Sequence, residues 1–548
     1  MDLTELRAVA QKEKDRQRPT RIHCCTSTGC RAASATEVYN NLKAAVKAQE
    51  CGDRLEVVSV GCMGFCGQGP LVQVDPDNHL YGQVKPQEAE SIVTATLGEG
   101  RTEAEQLDPE QPFFAYQTPV VRKHSGKVNP ESIEEYIAVG GYESLYKVVH
   151  DMTPAEVVAE VSNSGLRGRG GGGYPTGLKW ATVAKMPEGQ KYIICNGDEG
   201  DPGAFMDRSV LESDPHLVLE GMAIAGYAVG ADHGYVYVRA EYPLAISRLQ
   251  KAIKQAKRYG LMGSQIFDSP FDFKVDIRIG AGAFVCGEET ALIQSIEGAR
   301  GNPVPRPPYP AQKGLYDCPT LINNVESFAN IAHIIGEGAE AYASIGTENS
   351  KGTKIFALTG NIRNNGLIEV PMGITLRTIV EEMGGGVPDG EVKAVQTGGP
   401  SGGCIPKDLL DTPVDYDSLK AVGSMMGSGG MVVMDQNTNM VEIAHFYMEF
   451  CREETCGKCV PCRTGTVQLH SLLTKLLKGQ ATATDLEQLK QLSYMVQETS
   501  LCGLGMSAPN PVLSTLRYFP EEYTSLLVQP AYLNGHAAEP AITATAKG

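Results

Sequence analysis

The sequence predicts a multidomain α/β protein that ends in a bundle of helices. Three observations carry this. Two cysteine quartets stand near opposite ends of the chain, Cys25, Cys30, Cys62 and Cys66, then Cys456, Cys459, Cys462 and Cys502. Between them, β-branched apolar runs alternate with helical stretches and glycine-rich turns. From about residue 440 the strand signals stop and helical periodicity takes over. A chain of 548 residues has room for about three or four such units.

In chain order, residues 1–19 read as a charged helix and Arg21–Cys25 as a strand. A helix over 35–47 and strands over 55–60 and 71–74 follow. Cys25-x4-Cys30 leaves the first strand and Cys62-x3-Cys66 leaves the second, so the quartet should meet at one edge of an α/β unit spanning 1–105. Four converging thiolates need a cation to neutralise them. Structural zinc uses similar pairs. The wide spacing and the Gly67-Gln68-Gly69-Pro70 loop fit an exposed two-iron cluster better. Residues 98–119, rich in Glu, Gln and Pro, predict a linker.

The central unit, 120–340, is built around Gly165–Trp180, which interleaves glycines with Arg167, Arg169, Tyr174, Lys179 and the only tryptophan. A flexible linker would carry serine and few aromatics. Gly168, Gly170 and Gly173 spell G-x-G-x-x-G, but a dinucleotide fingerprint needs a strand before the glycines. Here Thr153-Pro154 opens a helix, with Thr153 as its cap. The loop is therefore expected to be a nucleotide cradle of another kind. The strand 191–195 leads to the acids Asp198, Glu199 and Asp201. Gly287-Glu288-Glu289 starts a further helix, where carboxylates suit the dipole. Arg306-Pro-Pro-Tyr309-Pro is stiff and aromatic, and Asn323-Asn324 with Ser327 is suited to hold a phosphate.

Residues 345–435 predict a small α/β domain with strands over 354–360 and 366–371, a helix over 376–383 and a structural role. Residues 440–530 predict a helical unit. Cys456-x2-Cys459-x2-Cys462 is the compact run of a [4Fe–4S] site, and Cys502 supplies the fourth thiolate. Two amphipathic helices over 465–498, with Leu469, Leu472, Leu473, Leu476 and Leu477 on one face, fold back to bring it there. Residues 531–548 are expected to form a mobile tail.

The formal charge of −17 argues against a nucleic-acid partner. No apolar run reaches about 18 residues, so no membrane span is expected. Met1–Thr20 lacks an apolar secretory core, which predicts a cytoplasmic location and leaves peripheral membrane attachment open. Fifteen cysteines in such a chain read as thiols rather than disulfides.

Cys25-x4-Cys30 with Val60-Gly-Cys62-Met-Gly-Phe-Cys66 and Gly69-Pro70 resembles the thioredoxin-like [2Fe–2S] domain of the NADH-dehydrogenase flavoprotein family. After residue 120 the motifs resemble, in order, the FMN- and NADH-binding subunit of respiratory complex I and its soluble relatives. The resemblance implies a Rossmann-like FMN/NADH domain, a β-grasp domain and a helical [4Fe–4S] domain. It implies FMN contacts from Gly168, Arg169, Gly170, Lys179, Asn196, Asp198, Glu199, Gly287, Glu288, Asn323, Asn324 and Ser327. NADH contacts are implied for Tyr174, Lys179, Asp201, Phe284, Glu288, Glu289, Arg306 and Tyr309. Ser327 replaces the family's usual threonine, Phe284 a tyrosine, and Tyr174 and Tyr309 phenylalanines. The implied cofactors are FMN, NAD(H), one [2Fe–2S] and one [4Fe–4S] cluster.

The fused N-terminal domain and Gly197-Asp198-Glu199-Gly200-Asp201-Pro202 look like the diaphorase subunit of soluble NAD-linked enzymes rather than a complex I subunit. The expected partners are small iron–sulfur diaphorase subunits and a [NiFe] hydrogenase heterodimer. NAD-dependent formate dehydrogenase, bifurcating hydrogenase and complex I are the alternatives. Glu288 and Glu289 predict a preference for NAD over NADP, whose extra phosphate they would repel. A scaffold with two structural zincs is the competing class; it leaves the glycine loop and its acidic and Asn-Asn partners unexplained.

Overall fold

The computed structural model describes residues 1–528; the expected mobile tail lies outside them. The N-terminal sheet joins β1 (Thr20–Cys25), β2 (Leu55–Val60), β3 (Val72–Asp75), β4 (His79–Gly82) and β5 (Glu105–Leu107) in the order β2-β1-β3-β4-β5. Only β1 and β2 run parallel, with Cys25 opposite Val60. Their C-terminal ends therefore share one edge, and both cysteine loops leave from it. Val38, Leu42, Ile92 and Val93 of the two covering helices fill the core beneath.

Two details depart from expectation. Residues 98–119 are not simply a linker. They donate β5 to the sheet edge and bury Phe113 against Phe65, with ring centroids 4.3 Å apart. The helix Leu3–Arg16 buries Leu6 in the core of the central unit, packing on the helix Ile133–Ala138.

The central sheet holds β6 (Tyr192–Gly197), β7 (His233–Arg239), β8 (Lys274–Gly280) and β9 (Thr320–Asn324), all parallel, in the order β8-β7-β6-β9. β6 lies between β7 and β9, so chain direction around the sheet reverses there. Such a switch point opens a crevice beyond the strands' carboxyl ends. The helix Pro215–Val229 has every residue buried except Tyr227, as its nearly uniform apolar sequence requires.

The third sheet holds β10 (Thr353–Gly360), β11 (Gly366–Pro371), β12 (Val392–Thr397), β13 (Gly403–Pro406) and β14 (Gly430–Asp435), ordered β11-β10-β14-β12-β13. β10 and β14 are parallel and the other pairs antiparallel. The expected helix over 376–383 is present: Leu376 and Arg377 are α-helical and Thr378–Met383 continues as a π-helix. The C-terminal helices Met440–Glu454, Val460–Leu477, Ala483–Thr499 and Asn510–Tyr518 close on Leu469, Leu473 and Leu476, with Leu472 and Leu477 at the margin. Among the described residues no helix is long and apolar enough to cross a membrane.

Candidate functional site

The two cysteine quartets assemble as distinct sites. In the first, Cys25, Cys30 and Cys62 are at most 4% exposed, and the Cys62 and Cys66 sulfurs stand 3.7 Å apart. The Cys25 thiol is pushed up by its bonds to Cys30 and Cys62, while Cys62 is held down by the donors Cys25 and Cys66. A methyl group on Gly69 would lie 2.9 Å from the Cys30 sulfur, so glycine there leaves room for a bound cluster. Cys24, the neighbour of Cys25 in the strand, faces the opposite way and donates to Ala35 O within the core. This is strand alternation at work: adjacent side chains take opposite faces.

In the second, all four cysteines line one cavity together with Thr455, Val285 and Leu504. Burial raises the Cys462 thiol to about 11, against the pull of a contact with Thr455 Oγ1 at 3.1 Å. Four sulfurs converging on one cavity can serve as thiolates once a cationic metal centre neutralises them. Thiolate-only donors in a C-x2-C-x2-C run fit an iron–sulfur cluster. A third metal-capable group, His445, Glu449 and His470, lies apart from both. Arg452 donates to His470 Nδ1 at 3.1 Å and pairs with Glu449 at 3.4 Å, so a fixed cation already serves it.

The switch-point crevice forms a cleft that reaches the C-terminal quartet's cavity. Its walls are Gly170–Gly172, Asn196, Asp198, Glu199, Asp201, Phe284, Gly287, Glu288 and Asn324. The glycine loop follows the helix Pro154–Asn163, whose cap is Thr153. Gly171 takes a φ of +117°, and a methyl group there would meet the Gly427 backbone at 3.1 Å. Asn196 donates to Gly287 O at 2.9 Å, tying the end of β6 to the loop after β8. Asp198 has both carboxylate oxygens buried without a hydrogen-bond partner, and burial raises it to about 7 despite Arg239 nearby. Asp201 is raised by burial to about 6, less than it would be without the Ser428 hydroxyl at 2.7 Å. An orphaned buried carboxylate facing a glycine-walled cleft fits a ligand rich in hydroxyls, as the ribityl chain of FMN is.

Several expected contacts are spent inside the protein. The Arg169 side chain is fully buried and turned from the cleft, bonding Thr353 O, Lys351 O and Tyr342 OH. Its amide donates to Ser327 Oγ at 2.9 Å, so that hydroxyl holds the loop. Asn323 accepts from Trp180 Nε1 at 3.0 Å, behind the cleft. Asn324 faces it, bonded to Asp207 and capping the next helix through Glu326 N. Glu199 accepts from the Asp207 and Arg208 amides. Glu288 caps its helix, accepting from Thr290 N and Ala291 N. Glu289 pairs with Arg306 at 2.6 Å and with Lys179 at 3.9 Å; Lys179 also donates to Ile322 O. Gly168 donates to Tyr174 O, closing the loop. Phe284 meets Phe450 edge-on. Tyr174 and Tyr309 are about half exposed, with Arg306 over the Tyr309 ring.

The third unit also enters the cleft, through Gly398, Ser401, Met425, Gly427 and Ser428, and the last unit through Gly503 and Leu504. Residues 345–435 thus line the cleft in addition to the structural role expected of them. The signal was present in Gly398–Gly403 and Gly427–Gly430, two glycine-rich runs where close backbone approach is possible.

The comparisons agree with this geometry. Residues 161–333 match the Nuo51 FMN-binding domain, 442–526 the NADH-ubiquinone oxidoreductase-F iron–sulfur binding region, and 11–97 the thioredoxin-like [2Fe–2S] ferredoxin. Similar proteins include the NADP-reducing hydrogenase subunit HndC of Solidesulfovibrio fructosivorans, 58% identical over 74% of this chain and 83% of the relative. An F-type NADH-quinone oxidoreductase subunit of Rhizobium meliloti is 45% identical over 74% of this chain and 97% of the relative. A crystal structure of NAD+-reducing [NiFe]-hydrogenase in the H2-reduced state superposes with a TM-score of 0.67 at 30% identity, covering 96% of this chain and 88% of that one. The chain therefore belongs to the family of F-type NADH-quinone oxidoreductase subunits and is an NAD(H)-dependent flavin and iron–sulfur oxidoreductase.

Proposed function

We propose that the chain is the diaphorase subunit of a hydrogenase: it exchanges a hydride between NAD(H) and FMN in the cleft and passes single electrons through its clusters to or from a hydrogenase module. One observation carries the electron route. Val285 and Leu504 line both the cleft and the cavity of the C-terminal quartet, so a wall one side chain thick separates them. Bound FMN would accept an electron pair as hydride and release electrons singly. The chain's own groups bind, orient and exclude water. The Gly170–Gly172 backbone cradles the flat ligand, while Asn196 and Asp198 meet its hydroxyls. Asn324 and the helix start behind it take the phosphate. Tyr174 and Tyr309 offer aromatic faces at the mouth.

The similarity to an NAD+-reducing [NiFe]-hydrogenase over nearly the whole chain supports a hydrogenase module as partner, reached through small iron–sulfur subunits. The 45% identity to a component of a quinone oxidoreductase supports complex I-type partners as the second reading. Cofactor choice rests on Glu288 and Glu289, the second of which stands beside Arg306 and Lys179. Preference for NAD is expected in turnover with both nucleotides, and equal kcat/KM values would sink it. Anaerobically purified protein should carry about six irons and one FMN, with EPR signals that NADH develops. Two zincs and no flavin would end the electron-transfer reading.

A further inference from the structure

The loop that carries Cys62 and Cys66 is clamped from outside the N-terminal unit. Gly64 O accepts from Leu367 N at 2.7 Å, and Gly67 N donates to Asn365 O at 3.0 Å, so the third unit's β11 region grips the loop. Residues 117–122 complete the clamp. Glu369, fully buried, accepts from the main-chain amides of Val121 and Arg122 at 3.0 and 2.8 Å. This fixes where the Arg122 side chain goes. Its guanidinium lies against Gly64, so closely that a methyl group there would overlap it. Its acceptors are Gln117 Oε1 at 3.1 Å and Leu367 O at 2.9 Å, both neutral. Among the described residues no carboxylate pairs with it, whereas Arg248, on the Cys25–Cys30 side, has Glu131 within 3.9 Å and the Glu212 carbonyl at 2.6 Å.

A half-buried guanidinium with only neutral acceptors is a charge in want of an anion. A two-iron cluster on four thiolates is anionic and gains one further negative charge when reduced. We propose that Arg122 is a positioning residue for that cluster, whose unpaired positive charge beside Gly64 favours the reduced form and sets the potential at which the N-terminal site holds an electron. The proposal rests on the [2Fe–2S] assignment. It gives the third unit a task that a covering domain would not need, namely to fix one cation against one cluster.

The test is an EPR-monitored redox titration of the [2Fe–2S] signal in the full, cluster-loaded chain. Arg122→Gln keeps an amide donor toward Leu367 O and removes the charge. It should move the midpoint to more negative potential by at least tenfold in the one-electron equilibrium, about 59 mV. Arg122→Lys should restore most of it. Gln117→Glu leaves Arg122 in place but neutralises it, and should lower the midpoint in the same direction even if Arg122→Gln fails to assemble its cluster. An unmoved midpoint in Gln117→Glu or Arg122→Gln would overturn the proposal, as would a shift in Arg122→Lys as large as in Arg122→Gln. A wild-type chain with no reducible two-iron signal would instead overturn the cluster assignment itself.

Discussion

At the residue scale, Asp198 shows how burial and function oppose each other. Its carboxylate gives up water and gains no hydrogen bond, only Arg239 at 3.8 Å, so its pKa rises from 3.8 to about 7. In flavin-free protein the folded state then holds a proton that the unfolded chain has lost. Stability must fall as pH rises from about 4 to about 7, and stay level above. Asp198→Asn removes this penalty. The flavin-free variant should melt higher than wild type at pH 8 and no higher at pH 4, while retaining FMN less well. Identical pH profiles of the melting temperature would show that the carboxylate finds a partner in solution. Asp201 and Asp207 are raised by burial too, so the informative quantity is the difference between wild type and variant.

At the element scale, the glycine loop is shaped by what it must let through. Gly171 lies at φ +117°, a conformation that costs a residue with a side chain roughly 1–3 kcal/mol, and its Cβ would crowd Gly427. Gly171→Ala should weaken FMN retention about tenfold, roughly 1.4 kcal/mol, with the far-UV spectrum unchanged. Full flavin occupancy at wild-type affinity would show that the loop yields. How much of this was legible depends on whether the cause is local. The capped helix Pro154–Asn163, the strand ends carrying Cys25 and Cys62, and the folding back of Ala483–Thr499 all follow from periodicity and end signals within a few residues. The fate of Arg169 and Asn323 does not. Both have chemistry suited to a ligand, yet Tyr342 and Trp180 claim them from positions far along the chain. The entry of Gly427 and Ser428 into the cleft is equally non-local.

At the scale of the whole molecule, the two metal sites are built on different elements. The N-terminal quartet rests on the β1 and β2 edge, pinned to the central unit by Cys62 N–Ser213 Oγ at 2.8 Å and by Thr28 with Glu212. The C-terminal quartet rests on the helices that follow Glu454, and that residue accepts from Phe284 N at 2.9 Å across the cleft wall. Neither quartet shares a residue with the other, so losing one should leave the other assembled. Cys502→Ser tests this at the thiolate that the sequence places farthest from its partners. Iron should fall from about six to about two per chain, with the two-iron signal and the FMN retained. Flavin reduction by NADH should persist, because the cleft residues are untouched. Electron delivery to a one-electron acceptor docked at the C-terminal helices should fail, because the path through the Val285–Leu504 wall then ends at an empty cavity. Undiminished delivery would mean that electrons leave by the N-terminal site, and the wall would be packing rather than a route.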